Sequence, residues 1–483
     1  FSTSGWTFAN TLGGLTVGKT TNTSVVSLYD ATIAGPITAY GGTINVNGNL
    51  NTTAAATLGD VLLKSSGDIS LATTKSITTN GGDVVVWSNS DNQTSTGSIM
   101  LYGGSSITTG GGHLWMAGGA DSATQWHGLT VGDGYAVSGT TISGTGNAAN
   151  FDKVGVFLEE ATLSTSGGDI YIRGKTTTFR GFLATGTVTL DAGAGKIYIE
   201  GQAVGDGGGA GAGWHHSTTT AYRNGIFTLT SSNAASDAIT WISDASQSVG
   251  TGLVSNGAGE GAGMAGTTSL VTTGGGGISF TSLGSSTKAG AYGVRLGYLT
   301  TQGGVLNLLA DSGAITLNTG TRSVGIVNNL GSATLGALTG SAVGTSSSNI
   351  TVISDDVSAS GTMAFNTSGA LTIRPTDGHS FTNTFNTAYL TYQGGVSGLT
   401  IGQSSNTGGV TVGSTTTIAG PVTIYGGAIA INAPLTATNN TIKLTGTTIT
   451  DGASGYVVAD KLAVLSGAVT LDNTSNSINT LAA

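Results

Sequence analysis

Residues 66–87 read SGDISLATTKSITTNGGDVVVW, and residues 96–117 read TGSIMLYGGSSITTGGGHLWMA. Set 30 residues apart, the two stretches agree at nine of 22 positions: Gly67/Gly97, Ile69/Ile99, Leu71/Leu101, Ser76/Ser106, Ile77/Ile107, Thr78/Thr108, Thr79/Thr109, Gly81/Gly111 and Gly82/Gly112. Inside each copy, apolar and polar residues alternate over short runs, and a Gly-Gly pair closes the run. Alternation with period two is the mark of a strand with one buried face. Glycine pairs supply the corners, where positive φ is often required. A unit this short cannot bury its apolar face alone; it buries it by stacking on its next copy. The expected fold is therefore all-β, a right-handed parallel β-helix (β-solenoid) with about 28–30 residues per coil. Ile69, Ile77, Val84, Ile99, Ile107 and Leu114 should be buried, with Ile69 stacked on Ile99 and Ile77 on Ile107.

The same unit recurs along the chain. The pattern apolar-x-Thr-x-Gly-Gly-x-apolar begins at Ile77, Ile107, Leu163, Val271 and Leu299, and Ser/Thr-Gly-x-Ile/Val-x-Leu begins at Ser66, Thr96, Thr185, Ser312 and Ser466. No helix-period segment follows any of the Gly-Gly pairs, so they read as turns and not as phosphate-binding loops. The glycine-rich fragments 205–213 and 257–266 read as excursions from the winding.

Composition narrows the function classes. Glycine is 83 of 483 residues, charged residues are 8%, and Cys is absent. This excludes a disulfide scaffold and a cysteine zinc site. Hydrophobic residues at 38% and their patterning argue against a disordered chain. With 15 Lys+Arg scattered and a net charge of -9, nucleic acid is not expected as a partner. No apolar run is long enough for a membrane-spanning helix.

A longer repeat overlies the short one. Residues 14–50, GLTVGKTTNTSVVSLYDATIAGPITAYGGTINVNGNL, return as GLTIGQSSNTGGVTVGSTTTIAGPVTIYGGAIAINAPL from Gly398, with Leu15 aligned to Leu399 and Pro36 to Pro421. We read residues 1–384 as one solenoid module and 385–483 as the start of a second, similar one continuing the same solenoid. The expectation is a slice of a longer repetitive chain.

The GLTxG...IAGPxTxYGG module, SITTNGGDVVVWSNSDN and STSGGDIYIRGK resemble the central repeats of very large bacterial surface proteins, similar to filamentous haemagglutinin and related giant adhesins. The resemblance implies an exported or surface-anchored stalk and supplies no catalytic residues. The family's secretion domain usually carries Asn-Pro-Asn-Gly-type motifs, and no Asn-Pro dipeptide occurs here.

The side chains that carry chemistry are sparse. Glu159-Glu160 and Asp355-Asp356 are the adjacent acidic pairs. Neighbours on a strand point to opposite faces, so neither pair suits glycoside chemistry, and both read as solvated acids at loops or edges. Asp60, Asp68, Asp83 and Asp169 fall near turns, where Asp caps backbone donors. Trp214-His215-His216 is the one metal-like fragment, read as an exposed loop. No GxSxG elbow supports a serine nucleophile. No catalytic, cofactor or metal site is assigned.

One group stands apart. Counted from the Gly-Gly pairs, Val84, Leu114 and Ile170 point inward, so Val85, Trp115 and Tyr171 share an outward column and are the candidate surface contact. Asp83, His113 and Asp169 also face out. Outward aromatics admit three uses: cover by a loop or neighbouring chain, lateral contact between rods, or stacking on sugars. The expected function is a non-catalytic extracellular adhesive or structural stalk of a bacterial surface protein. Its partners would be itself, or cell-surface glycans and proteins. A self-assembling filament and a carbohydrate-active β-helix enzyme are the alternatives.

Overall fold

A computed structural model describes residues 1–93, 96–138, 154–177, 180–205, 210–214, 225–248, 262–264, 266–285, 293–296, 305–320, 326–328, 332–336, 346–359, 363–393 and 395–483. The architecture is a parallel β-solenoid. Among the described residues its strands form sheets of 23, 12, 7 and 4, which run from coil to coil apart from one antiparallel hairpin strand in the first. On one wall the inward ladder passes Leu15, Ile37, Val61, Val84, Leu114, Ile170, Ile197, Ile239, Ile278, Ile315, Ile350, Leu371, Leu399, Val422, Ile442, Leu462 and Leu481, each the parallel register partner of the next. A second wall stacks Leu50, Ile77, Ile107, Leu163, Leu190, Leu229, Leu270, Leu308 and Leu335 in the same way.

The pairs expected from the sequence are present. Ile69 pairs with Ile99 and Ile77 with Ile107. All six residues expected in the core are at most 2% exposed. Coil length behaves differently from the expectation. From Leu15 to Leu481 the first ladder covers 466 residues in sixteen steps, about 29 per step, but single steps run from 19 residues (Leu462 to Leu481) to 56 (Leu114 to Ile170). Inter-coil hydrogen bonds fix only the strands, so corners absorb insertions at little cost to the ladder. Where the steps lengthen to 42 and 39 residues (Ile197 to Ile239 to Ile278), the core fills with rings. Phe182, Phe227, Trp241 and Phe280 pack with centroids 5.5–5.8 Å apart.

The two glycines of the repeat unit do different jobs. The first takes positive φ: 87° at Gly81, 122° at Gly111 and 136° at Gly167. The second stacks on the backbone of the preceding coil. A Cβ on Gly112 would fall on the Gly82 carbonyl and one on Gly168 on the Gly112 carbonyl, both well inside the 3.0 Å that real Cβ atoms respect. The Thr of the motif closes the corner. Thr79, Thr109 and Thr165 are buried, and each donates its hydroxyl to the carbonyl of the second glycine. The copy at Leu299 lies outside the described residues.

The glycine-rich fragments are in part solenoid wall and not excursions. Ala210–Trp214 pairs in parallel with Arg180–Thr185, and Ala262–Met264 with Val294–Leu296. The ladder continues from 363–366 to 390–393 and from 370–373 to 398–401, across the boundary between the two modules. Among the described residues no helix is long and apolar enough to cross a membrane.

Candidate functional site

The outward column next to the first ladder is uneven. Moving along the coils it reads Thr16, Thr38, Leu62, Val85, Trp115, Tyr171, Tyr198, Thr240, Ser279, Thr316 and Thr351. An apolar and aromatic segment of five is bounded by threonine on both sides. Three of its members are the residues singled out by alternation, and they do leave the core as expected. Val84, Leu114 and Ile170 belong to the central cluster, while Val85 and Trp115 belong to a separate one with Trp87, Ala117 and Val131.

Their surroundings favour cover, the first of the three uses, over an open contact at Val85 and Trp115. Val85 and Trp115 are 5% and 2% exposed. The strand Leu114–Trp126 runs on past the wall and folds back as Leu129–Gly134 in an antiparallel hairpin lying over the column. Its tip is the two-residue turn His127-Gly128 with φ of 49° and 82°, both positive, as a tight turn matched to strand twist requires. Val131, Leu129 and Trp126 of the hairpin pack on Val85, Trp87, Trp115, Leu62 and Tyr171. The Trp87 indole N–H donates to the Gly119 carbonyl at 2.9 Å. Of the three uses for outward aromatics, the chain itself supplies cover for Val85 and Trp115, whereas Tyr171 stays half-buried.

The hairpin tip is held by polar groups. His127 Nε2 donates to Asp169 Oδ2 at 2.8 Å, and its ring stacks on His113 at 3.8 Å and 10°. Burial, reinforced by the charge of His127, pushes His113 below its ordinary pKa. The base of the return strand is clamped by Glu200, which accepts from Arg173, Tyr135 and Tyr198. Burial and the bond to Glu200 push the Tyr135 hydroxyl up to about 12.

Asp60, Asp83, His113 and Asp169 form a second column, and the side chain of each accepts a backbone N–H of the next coil. Asp60 Oδ1 accepts from the Asp83 N–H, Asp83 Oδ1 from His113 N–H, His113 Nδ1 from Asp169 N–H and Asp169 Oδ1 from Lys196 N–H, all at 2.7–2.9 Å. Asp68 likewise accepts from Gly97 and Ser98. These acids do cap backbone donors, but across coils.

His113, His127 and Asp169 bring one ligand-type atom each within 4.8 Å of one another. The rings are set for hydrogen bonding and not for a shared ion. His113 Nδ1 accepts a backbone N–H, which puts the neutral ring's proton on Nε2. Imidazole ligates through a lone pair in its ring plane, and two nearly parallel planes 3.8 Å apart share no such point. His215 and His216 lie outside the described residues.

Three of the four adjacent acids differ from the expectation of solvated side chains. Glu159 is 7% exposed and accepts from Gly103 N–H; Asp355 and Asp356 are each 3% exposed. Asp355 accepts from Thr376 N–H and pairs with His379, and Asp356 accepts from Asn383, so both hold down the segment 375–384. Glu160 is the exposed member of the four, just past the strand Val154–Glu159, with a φ of 50°. Burial, with the Glu160 charge adding to it against the Gly103 bond, raises the Glu159 carboxyl.

The hairpin and Tyr198 were not found from the sequence. His-Gly between alternating runs is a weaker hairpin signal than Asn-Gly, and Tyr198 becomes visible only once register places it beside Tyr171. Comparison with family models, with curated proteins and with solved structures returned no match to this chain.

Proposed function

We propose that this chain is a non-catalytic structural stalk of an extracellular adhesive fibre, working through length, stiffness and surface. The observation that carries the reading is the unbroken parallel ladder of sixteen steps. At strand spacing it spans roughly 75 Å. Among the described residues the wall strands pair from coil to coil, so bending would strain many hydrogen bonds together. The acids support the non-catalytic part. Asp60, Asp68, Asp83, Asp169, Glu159, Asp355 and Asp356 all accept hydrogen bonds within the chain. The setting outside the cell rests on the resemblance of the repeats to giant surface adhesins. Electron microscopy of the purified chain should show unbranched rods of about that length; compact globules would overturn the reading. Incubation with acidic and neutral polysaccharides should release neither reducing ends nor unsaturated sugars. Release abolished by one carboxylate substitution would make the chain an enzyme.

A further inference from the structure

The hairpin covers the aromatic column only as far as Tyr171. Tyr198 stacks on Tyr171 at 4.8 Å and 9°, and is the last ring of the column. Its register partner on the next coil is Thr240, a side chain too small to continue the stack. A groove of about 150 Å³ runs beside these rings to Thr240, lined by Trp126, Tyr171, Tyr198 and Thr240 together with Asp169, Lys196 and Asp237. We propose that this groove binds one neutral pyranose ring of a glycan, seated on Tyr198 as the next layer of the column.

Three observations select that ligand. The volume suits a single ring and is well below the ~300–1,000 Å³ of drug-sized pockets. The platform is an aromatic plane parallel to the coil layers, and the C–H face of a pyranose stacks on such a plane. The rim joins a donor to an acceptor: Lys196 Nζ pairs with Asp237 Oδ1 at 2.7 Å, with Lys196 39% and Asp237 59% exposed. Two neighbouring sugar hydroxyls can bridge that pair, one accepting from the ammonium and one donating to the carboxylate. Asp169 and Asp237 outnumber Lys196, so a sugar carboxylate is disfavoured. The site deepens the stalk reading by naming what an adhesive stalk would hold, and its geometry depends on the solenoid alone.

Calorimetric titration with cellotetraose, maltotetraose and a galactose tetramer, against tetragalacturonate, tests this. At least one neutral oligosaccharide should bind saturably, and tetragalacturonate should bind at least about tenfold more weakly. Tyr198→Ala should weaken binding by about tenfold or more, and Tyr198→Phe by less than about threefold. Thr240→Tyr extends the column into the groove and should abolish binding while the rods seen by microscopy persist. Thr240→Tyr keeps the test open if Tyr198→Ala fails to fold. No saturable neutral binding, preference for tetragalacturonate, or binding unchanged in Thr240→Tyr would overturn the site. Intact rods without binding would sink the groove and leave the stalk reading standing, whereas globular particles would sink the stalk.

Discussion

The described residues of 61–205 and those of 396–464 are built on parallel coils alike, yet they differ on the outside. In the first stretch the outward column carries Leu62, Val85, Trp115, Tyr171 and Tyr198; in the second it carries Thr400, Thr423 and Lys443. The first bears a hairpin and an aromatic-lined groove; the wall strands of the second carry Thr and Lys in that column, and its own groove, of about 300 Å³, is lined mainly by Ser, Thr, Asn and Gly beside Tyr425. Inward, the two are alike: Val84, Leu114 and Ile170 are 0% exposed, and so are Val422, Ile424 and Ile442. Inward alternation therefore makes the coil, and the outward column decides what is laid over it. The module shared by the two ends makes the same point. Gly18 and Gly402 both sit at φ 78°, and Asn22 and Asn406 both donate to the carbonyl of the following Tyr40 or Tyr425.

The largest effect should be indifferent to region. Ile107→Asp and Ile424→Asp each place an unpaired charge between two coils, and each should cost several kcal/mol, about 4 or more, by chemical denaturation. A large disparity between them would mean that the covered stretch owes its stability to the hairpin.

Trp115→Ala and Thr400→Ala separate the regions. The first removes a ring buried under the hairpin and should cost about 3–4 kcal/mol, with faster proteolysis within 119–133. The second should stay within about 0.5 kcal/mol. Equal costs would refute the hairpin as a packed layer.

Gly112→Ala should cost about 2–3 kcal/mol, because a Cβ meets the Gly82 carbonyl of the coil beneath. Loss of a merely flexible glycine would cost nothing or even stabilise. The melting temperature of the variant distinguishes these.

The smallest effect is a pH dependence at Asp60, the residue that leads into the first stretch. Burial, with Asp83 adding to it and the Asp83 N–H opposing it, raises the Asp60 carboxyl from 3.8 to about 6. The folded chain then holds that proton more tightly than the unfolded one. The stabilisation from protonation is full below about 3.8 and is lost as pH rises through about 6. Asp60→Asn keeps the acceptor and removes the charge. It should be more stable than the parent at pH 7.5 by on the order of 1 kcal/mol, after allowance for solvent screening, with the gap closing near pH 4. A gap that widens on acidification would show Asp60 to be held as a carboxylate.

Much of the fold was legible because period-two alternation is local: each inward Ile or Val declares its face by its neighbours. Ile69, Ile77, Ile99 and Ile107, their pairing and the outward turn of Val85, Trp115 and Tyr171 all followed from that count. Coil length was legible only as an average, since corner insertions leave the alternation untouched. Strands made of Gly and Ala, such as Ala210–Trp214, carry no bulk to betray a period.

What stayed hidden depends on register between residues far apart in the chain. His113 and Asp169 are 56 positions apart and meet as acceptor and donor. Tyr171 meets Tyr198 only because one coil is 27 residues long. Lys196 reaches Asp237 across 41 residues. The amino-acid order by itself determined a wall of stacked strands and which face of each strand is apolar, because strand geometry and desolvation act within a few residues. The covering of Trp115, the burial of Asp355 and the opening beside Tyr198 were decided by tertiary structure, because the length of each corner sets which side chains share a layer.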